Sequence, residues 1–163
     1  MDVWIVMAAL AAGGLLIGLA VARRLFVVIR VTGTSMSPAF GPHDRVLVRR
    51  GAADQVKAGT VAVLAEPRDT LTWRLTPLPT PGLGQATWVI KRVAAVAGDA
   101  VPDSVREAAS RVAVVPDGML VVLSDNPAGS DSRRWGLIPA SRVLGPVVLK
   151  FPVRTLSPRD NSQ

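Results

Sequence analysis

Trp88-Val89-Ile90-Lys91-Arg92-Val93-Ala94-Ala95-Val96 is an apolar, β-branched run closed by Gly98-Asp99, and it reads as a buried β-strand. Lys91 interrupts it. The chain uses three lysines against sixteen arginines, so a lysine in this position is a marked choice. Burial of an ammonium among aliphatic side chains disfavours the charged form and lowers the pKa. A neutral lysine amine can serve as a general base, which an arginine cannot.

Other segments carry the same period or composition. Leu25 to Ile29 opens the first strand or extends a preceding helix, Arg45 to Arg49 alternates polar and apolar, and Thr60 to Leu64 is a third run. Gly118 to Leu123 and Arg142 to Lys150 supply two more. Residues 104 to 112 suit a short helix with Ser104 as its cap. The proline-rich stretch 66 to 86 suits an exposed loop or loose hairpin. Short β-rich segments between Gly/Pro turns predict a mostly β fold, an antiparallel sandwich or barrel-like domain.

Apolar residues make up 49% of the 163, and they are unevenly spread. Residues 3 to 22 hold no charge, and twenty helical residues span about 30 Å, the thickness of a bilayer core. The acidic start Met1-Asp2 and the length of the run favour a retained transmembrane anchor over a cleaved leader. The expected organisation is an N-terminal membrane anchor over 1–24, a β-rich catalytic domain over 25–154 and a disordered tail over 155–163. Arg23 and Arg24 follow the anchor, and basic flanks favour a cytoplasmic domain.

The absence of cysteine excludes disulfides, thiol nucleophiles and thiolate metal sites. One histidine, His43, sits after Gly41-Pro42 in a turn, which makes imidazole metal clusters implausible. No metal and no cofactor are expected. The net charge of +7 comes from scattered arginines without interleaved aromatics, so no nucleic-acid partner is expected and anionic lipid accounts for the charge.

Ser35, in Gly33-Thr34-Ser35-Met36-Ser37-Pro38, is the candidate partner for Lys91. A serine hydroxyl is a weak nucleophile until a base takes its proton. A Ser–Lys dyad is the economical route to acyl transfer in a chain with one histidine and no cysteine. On spacing alone, an ordinary turn plus a snorkelling lysine remains open.

Gly33 to Pro38 resembles the serine box of the type I signal peptidases, membrane serine proteases that cleave leader peptides with a Ser–Lys dyad. In order along the chain, His43-Asp44-Arg45-Val46-Leu47-Val48 resembles the family's Gly-Asp-x-Val-x-Val strand, with His43 in place of glycine. Val89 to Val93 with Gly98-Asp99 resembles the lysine box. Ser124-Asp125-Asn126, Asp131-Ser132-Arg133 and Trp135-Gly136 resemble the last box, with Ser124 in place of a glycine.

The resemblance implies a signal-peptidase-type catalytic domain in which Ser35 attacks the scissile carbonyl and Lys91 is the base. It implies an oxyanion site at the Ser35 amide, with Gly33 and Thr34 shaping the turn. The family's lysine-orienting serine would fall on Gly129, so the adjacent Ser130 is expected in that role. Arg92, Asp131 and Arg133 are expected to form one structural polar network under the dyad. Met36, Pro38 and Ile90 are expected along the substrate cleft. The implied partners are precursor proteins bearing leader peptides and the lipid bilayer, with the catalytic domain on the extracytoplasmic face of the cytoplasmic membrane. A maturation protease dedicated to one precursor, and a non-catalytic membrane-bound β module, are the alternatives.

Overall fold

The computed structural model describes residues 3–51, 53–67 and 87–153, with the side chains of Ile5, Val6, Ala8, Ala9 and Asp54 outside the described set. The expected loop over 66–86 and the expected tail over 155–163 therefore lie mostly or wholly outside the described residues.

Helix α1, Val3–Leu25, runs directly into strand β1, Phe26–Arg30. At 1.5 Å per residue its 23 residues extend about 34 Å. Its described apolar side chains, Trp4, Leu10, Leu15 and Ile17 among them, are exposed. Among the described residues, no helix is both long and apolar enough to cross a membrane. The transmembrane anchor read from the sequence is thus present as a helix with unburied apolar side chains and not as an established span.

Five further strands follow: β2 Arg45–Arg49, β3 Val61–Ala65, β4 Trp88–Val96, β5 Met119–Leu123 and the two-residue β6, Ile138–Pro139. The last is β7, Val143–Phe151. All paired strands are antiparallel, in the order β1-β2-β7-β3-β4-β5-β6. The expected mostly β, antiparallel architecture is present as one continuous strand order. β7 joins its two halves, pairing β3 through Val143 to Pro146 and β2 through Val147 to Phe151.

Gly145 allows this crossing. It has φ +156, and a Cβ there would lie 1.7 Å from the Arg49 carbonyl oxygen, so only glycine lets β7 approach the end of β2.

Alternation decides the cores. In β2, Val46 and Val48 point inward and pack with Val31, Met36, Phe40, Val63, Ile90 and Leu144. A second cluster gathers Leu64, Val93, Leu120, Val122, Ile138 and Val143 on the other side of β3 and β4. A third, smaller one packs Val101, Val105, Ala109 and Val115 against Ala95 and Val121.

The helix expected over 104–112 is shorter and starts earlier. Helix α2 is Asp103–Arg106, its N-cap is Pro102 and no side chain caps it, so Ser104 is not the cap. Ser110 and Arg111 adopt φ of 58° and 59°, which turns the chain back toward Ala113, whose carbonyl accepts from the Val101 amide. A left-handed residue ends a helix because the next amide can no longer reach its i−4 carbonyl. One further helical turn, α3, is Ser132–Trp135.

Candidate active site

The loop from Val31 to Asp44 joins β1 to β2 and carries Ser35. Its base is closed by two backbone bonds, Val31 amide to Asp44 carbonyl at 2.8 Å and His43 amide to Val31 carbonyl at 2.7 Å. His43 has φ 76°, a conformation that favours glycine, at the position where the resembling family has one. Its Nδ1 lies 2.7 Å from the Arg30 guanidinium. Met36 and Phe40 pin the loop to the core.

Asp44 holds the loop from below. Its carboxylate accepts from the Gly41 amide at 2.8 Å and the Val153 amide at 3.1 Å, and pairs with Lys150 at 3.1 Å. Burial alone would raise the Asp44 pKa, but the Gly41 amide, Lys150 and the Val153 amide hold it below the usual value. Lys150 also donates to the Ala39 carbonyl at 2.7 Å and lies over the Phe40 ring at 5.2 Å. Neither Asp44 nor Lys150 was singled out from the sequence as a support for the serine loop.

A second support comes from the segment after β5. The Asn126 amide donates to the Ser35 carbonyl at 3.0 Å, and its side-chain Nδ2 donates to the Thr34 carbonyl at 3.3 Å. Asn126 Oδ1 accepts from the Ala128 amide at 3.0 Å, an Asx turn that fixes its own orientation. Ser35 is half-buried and borders a cavity of about 160 Å³ with Gly33, Val31, Ile90, Trp88 and Ile29. Met36 is not on that cavity. It is fully buried in the core beside Val46 and Val48, which corrects its expected place in the cleft. Pro38 is exposed and does not border the cavity either. Ile90 does.

Lys91 is 2% exposed. β4 pairs β3 with Lys91 opposite Ala62 and pairs β5 with Arg92 opposite Leu123. Extending that second register by one residue sets Lys91 opposite Ser124, and the Lys91 amine donates to the Ser124 hydroxyl at 2.8 Å. The Trp135 ring lies beside the amine, 5.6 Å to its centroid. Burial pushes the Lys91 pKa below its ordinary value; Asp131 and Glu66 oppose this and Arg133 adds to it.

The hydroxyl on Lys91 therefore belongs to Ser124, not to the expected Ser130. Ser130 contributes its carbonyl, 3.5 Å from the Ser124 hydroxyl. The reason is the cross-strand register, which brings position 124 directly over Lys91.

The expected single network of Arg92, Asp131 and Arg133 is two separate pairs. Arg92 forms a two-pronged bond to Asp125, both contacts at 2.8 Å, and donates to the Gly59 carbonyl at 3.0 Å. Asp131, whose carboxylate is fully buried, takes Arg133 Nε at 2.9 Å and NH2 at 2.6 Å. It also accepts from the Ser124 amide at 2.8 Å and from the Arg133 amide at 3.0 Å, capping α3. Burial alone would raise the Asp131 pKa, but these four donors hold it below the usual carboxylate range. Ser132 is buried, and its hydroxyl accepts from the Val122 amide at 2.9 Å, which ties the segment to β5.

Gly129 closes the site. A Cβ built on it would lie 2.5 Å from Ser124 Oγ and 3.0 Å from Ser35 Cβ, so any side chain there would press on both serines. The residues gathered here are Ser35, Lys91 and Ser124, a hydroxyl beside a cavity and a buried amine held by a second hydroxyl. A neutral amine so placed can accept a proton from a nucleophilic hydroxyl. Among the described residues, no group of three His, Cys, Asp or Glu side chains could hold a metal ion.

Comparison with known proteins bears on this arrangement. The family model described as signal peptidase, peptidase S26, matches residues 3–107 and 103–152. A solved structure of a signal peptidase I from Enterococcus faecalis V583 is similar at 17% identity and a TM-score of 0.35, covering 56% of this chain and 95% of that one. No curated protein matches the chain.

Proposed function

The chain belongs to the signal peptidase S26 family, and from that premise we propose that it is a serine endopeptidase in which Ser35 is the nucleophile and Lys91 its general base. The observation that carries this reading is Lys91 itself. Its amine is buried, its pKa is lowered, and it is held by the Ser124 hydroxyl, which shares the Gly129 side-chain space with Ser35. A buried lysine with no acidic side chain in direct contact among the described residues is poorly explained as a stabilising feature, because desolvating an ammonium is unfavourable.

In this reading Lys91 takes the proton of the Ser35 hydroxyl as Oγ attacks the peptide carbonyl. The proton passes to the departing amine, leaving an acyl-enzyme ester on Ser35. Lys91 then draws a proton from water, which attacks the ester and frees the new carboxylate and the Ser35 hydroxyl. The Ser35 amide is the oxyanion donor within the turn built by Gly33 and Thr34.

The substrate is an extended peptide lying between residues 29–33 and 88–91. β1 pairs with β2 on one side, and β4 meets β5 only from Arg92 onward, so both segments offer a strand edge to the cavity. The aliphatic lining of Ile29, Val31 and Ile90 suits small or aliphatic side chains before the cleaved bond. Precursor proteins bearing leader peptides are the substrate class. We further propose that α1 tethers the domain to a lipid bilayer with the catalytic domain on the extracytoplasmic face. The uncharged run 3–22 and the exposed apolar side chains of α1 support the tether.

The test is cleavage of a leader peptide with Ala at the −3 and −1 positions by the full chain in lipid, with Ser35→Ala and Lys91→Met alongside. Loss of cleavage in both variants is expected, and equal activity in all three would end the dyad reading. A wild type active on a narrow set of peptides would favour a protease dedicated to one precursor. Protease treatment of intact cells checks the topology, and a protected domain would sink the outward orientation.

A further inference from the structure

The amine of Lys91 donates to the Ser124 hydroxyl at 2.8 Å, and that hydroxyl is well fixed. The Ser124 amide is bound to the buried Asp131 carboxylate at 2.8 Å, and that carboxylate is in turn gripped by Arg133. Ser124 Oγ lies 3.5 Å from the Ser130 carbonyl, which draws the hydroxyl hydrogen away from the lysine and leaves a lone pair facing it. Arg92 and Asp125, the residues that follow Lys91 and Ser124, lock the same crossing from the solvent side.

Gly129 supplies the second, independent observation. The position of its missing Cβ is 2.5 Å from Ser124 Oγ, 2.8 Å from Ser124 Cβ and 3.0 Å from Ser35 Cβ. Nothing about its backbone φ calls for glycine, as it does not lie in the left-handed region. The space is simply taken. A side chain at 129 would displace the Ser124 hydroxyl and press on the nucleophile together.

We propose that Ser124 is the residue that positions the Lys91 amine toward Ser35, and that Gly129 is glycine because its side-chain space is occupied by that hydroxyl. The inference rests on the Ser35–Lys91 reading given above. It adds that positions 124 and 129 are mutually exclusive sites for one side chain: either may fill the gap between the two catalytic groups, and both together cannot.

The experiment uses the full chain in lipid, with a leader peptide as substrate and an NMR titration of the Lys91 side-chain methylene signals, which is tractable with three lysines in the sequence. Ser124→Ala is expected to lower kcat about a hundredfold with KM little changed, since an unrestrained base is misplaced by about an ångström. Removing the acceptor leaves a buried ammonium less well solvated, so the Lys91 titration and the acidic limb of kcat/KM should both move to lower pH. A merely structural loosening would admit water and move both to higher pH.

Gly129→Ser alone should lower kcat as well. Ser124→Gly with Gly129→Ser should be at least about tenfold more active than either single variant, because one hydroxyl is again present in a space that holds one. Wild-type kcat and an unmoved Lys91 titration in Ser124→Ala would overturn the proposal, as would losses that simply add in the double variant. If the wild type cleaves no leader peptide, the proteolytic reading fails while the Lys91 titration still reports whether Ser124 holds the amine.

Discussion

Lys91 and Ser124 are cross-strand neighbours, 33 residues apart in sequence and joined by a 2.8 Å hydrogen bond at the place where the β4–β5 ladder gives way to a loop. The ladder thus ends at the Lys91 amine. On one side of Lys91 its strand is fully paired to β3, and on the other only Arg92 and beyond are paired to β5. A strand paired to β3 holds Lys91, and in the proposed reading the β4 edge beside it, outside the β5 ladder, is where the substrate backbone would lie.

Stability should respond to Lys91 in the direction opposite to an ion-paired lysine. Its folded pKa lies below the unfolded 10.5, so the unfolded chain binds more protons between the two values and stability rises with pH through that window. Below the folded pKa the buried ammonium is a standing penalty. Lys91→Met should therefore abolish cleavage while raising Tm at pH 7 by about 2–4 °C, and the pH-dependent rise should vanish. Thermal melts at pH 7 and pH 10 check this; a lower Tm in the variant would contradict it.

Asp131 has the opposite sign. Its pKa is depressed, so the stability it contributes is complete above the unfolded 3.8 and is lost as pH falls through the folded value. Asp131→Asn keeps the shape and removes the charge that four donors address. A loss of about 2 kcal/mol at pH 7, shrinking as pH falls below 3.8, is expected in denaturant titrations.

Lys150 joins the last strand to the serine loop through Asp44, the Ala39 carbonyl and the Phe40 ring. The lysine is about a third exposed, so the pair is worth only about 1 kcal/mol in Lys150→Met. Activity should be the more sensitive readout. With the loop base loosened, kcat is expected to fall severalfold, and an unchanged kcat would show that Met36 and Phe40 alone hold Ser35 in place.

Gly145→Ala tests the β7 crossover. The added Cβ would lie 1.7 Å from a backbone oxygen of Arg49, with φ already at +156°, and neither strand can yield without breaking its pairing. Destabilisation of more than about 4 kcal/mol is expected, seen as loss of soluble folded protein and of a cooperative melt. Gly129→Ala, in a surface loop, should by contrast retain the fold.

Much of this molecule is legible locally. The period-two alternation of Arg45–Arg49 and the apolar run Trp88–Val96 are properties of adjacent residues, and both became strands within a residue of their expected ends. The helix expected over 104 to 112 ends already at Arg106, and the chain beyond it reverses through the left-handed Ser110 and Arg111, which side-chain pattern does not reveal. Met36 reads as a cleft residue beside the nucleophile, yet its side chain turns inward because the loop needs an apolar anchor beneath Ser35.

The amino-acid order offered Ser35 and Lys91 as candidates, a serine in a small-residue turn and a lysine in an aliphatic strand, and the ordered resemblance of the surrounding boxes to the type I signal peptidases singled them out. Which hydroxyl meets the lysine was a tertiary matter. Counting back from Asp131 lands on Gly129, beside Ser130, whereas strand register points to Ser124, and register is set by side-chain burial along both β4 and β5 rather than by the loop between Ser124 and Asp131. The same holds for Arg92, whose partner is Asp125 because the two strands bring those side chains together, while Asp131 turns back to cap α3 and hold the Ser124 backbone.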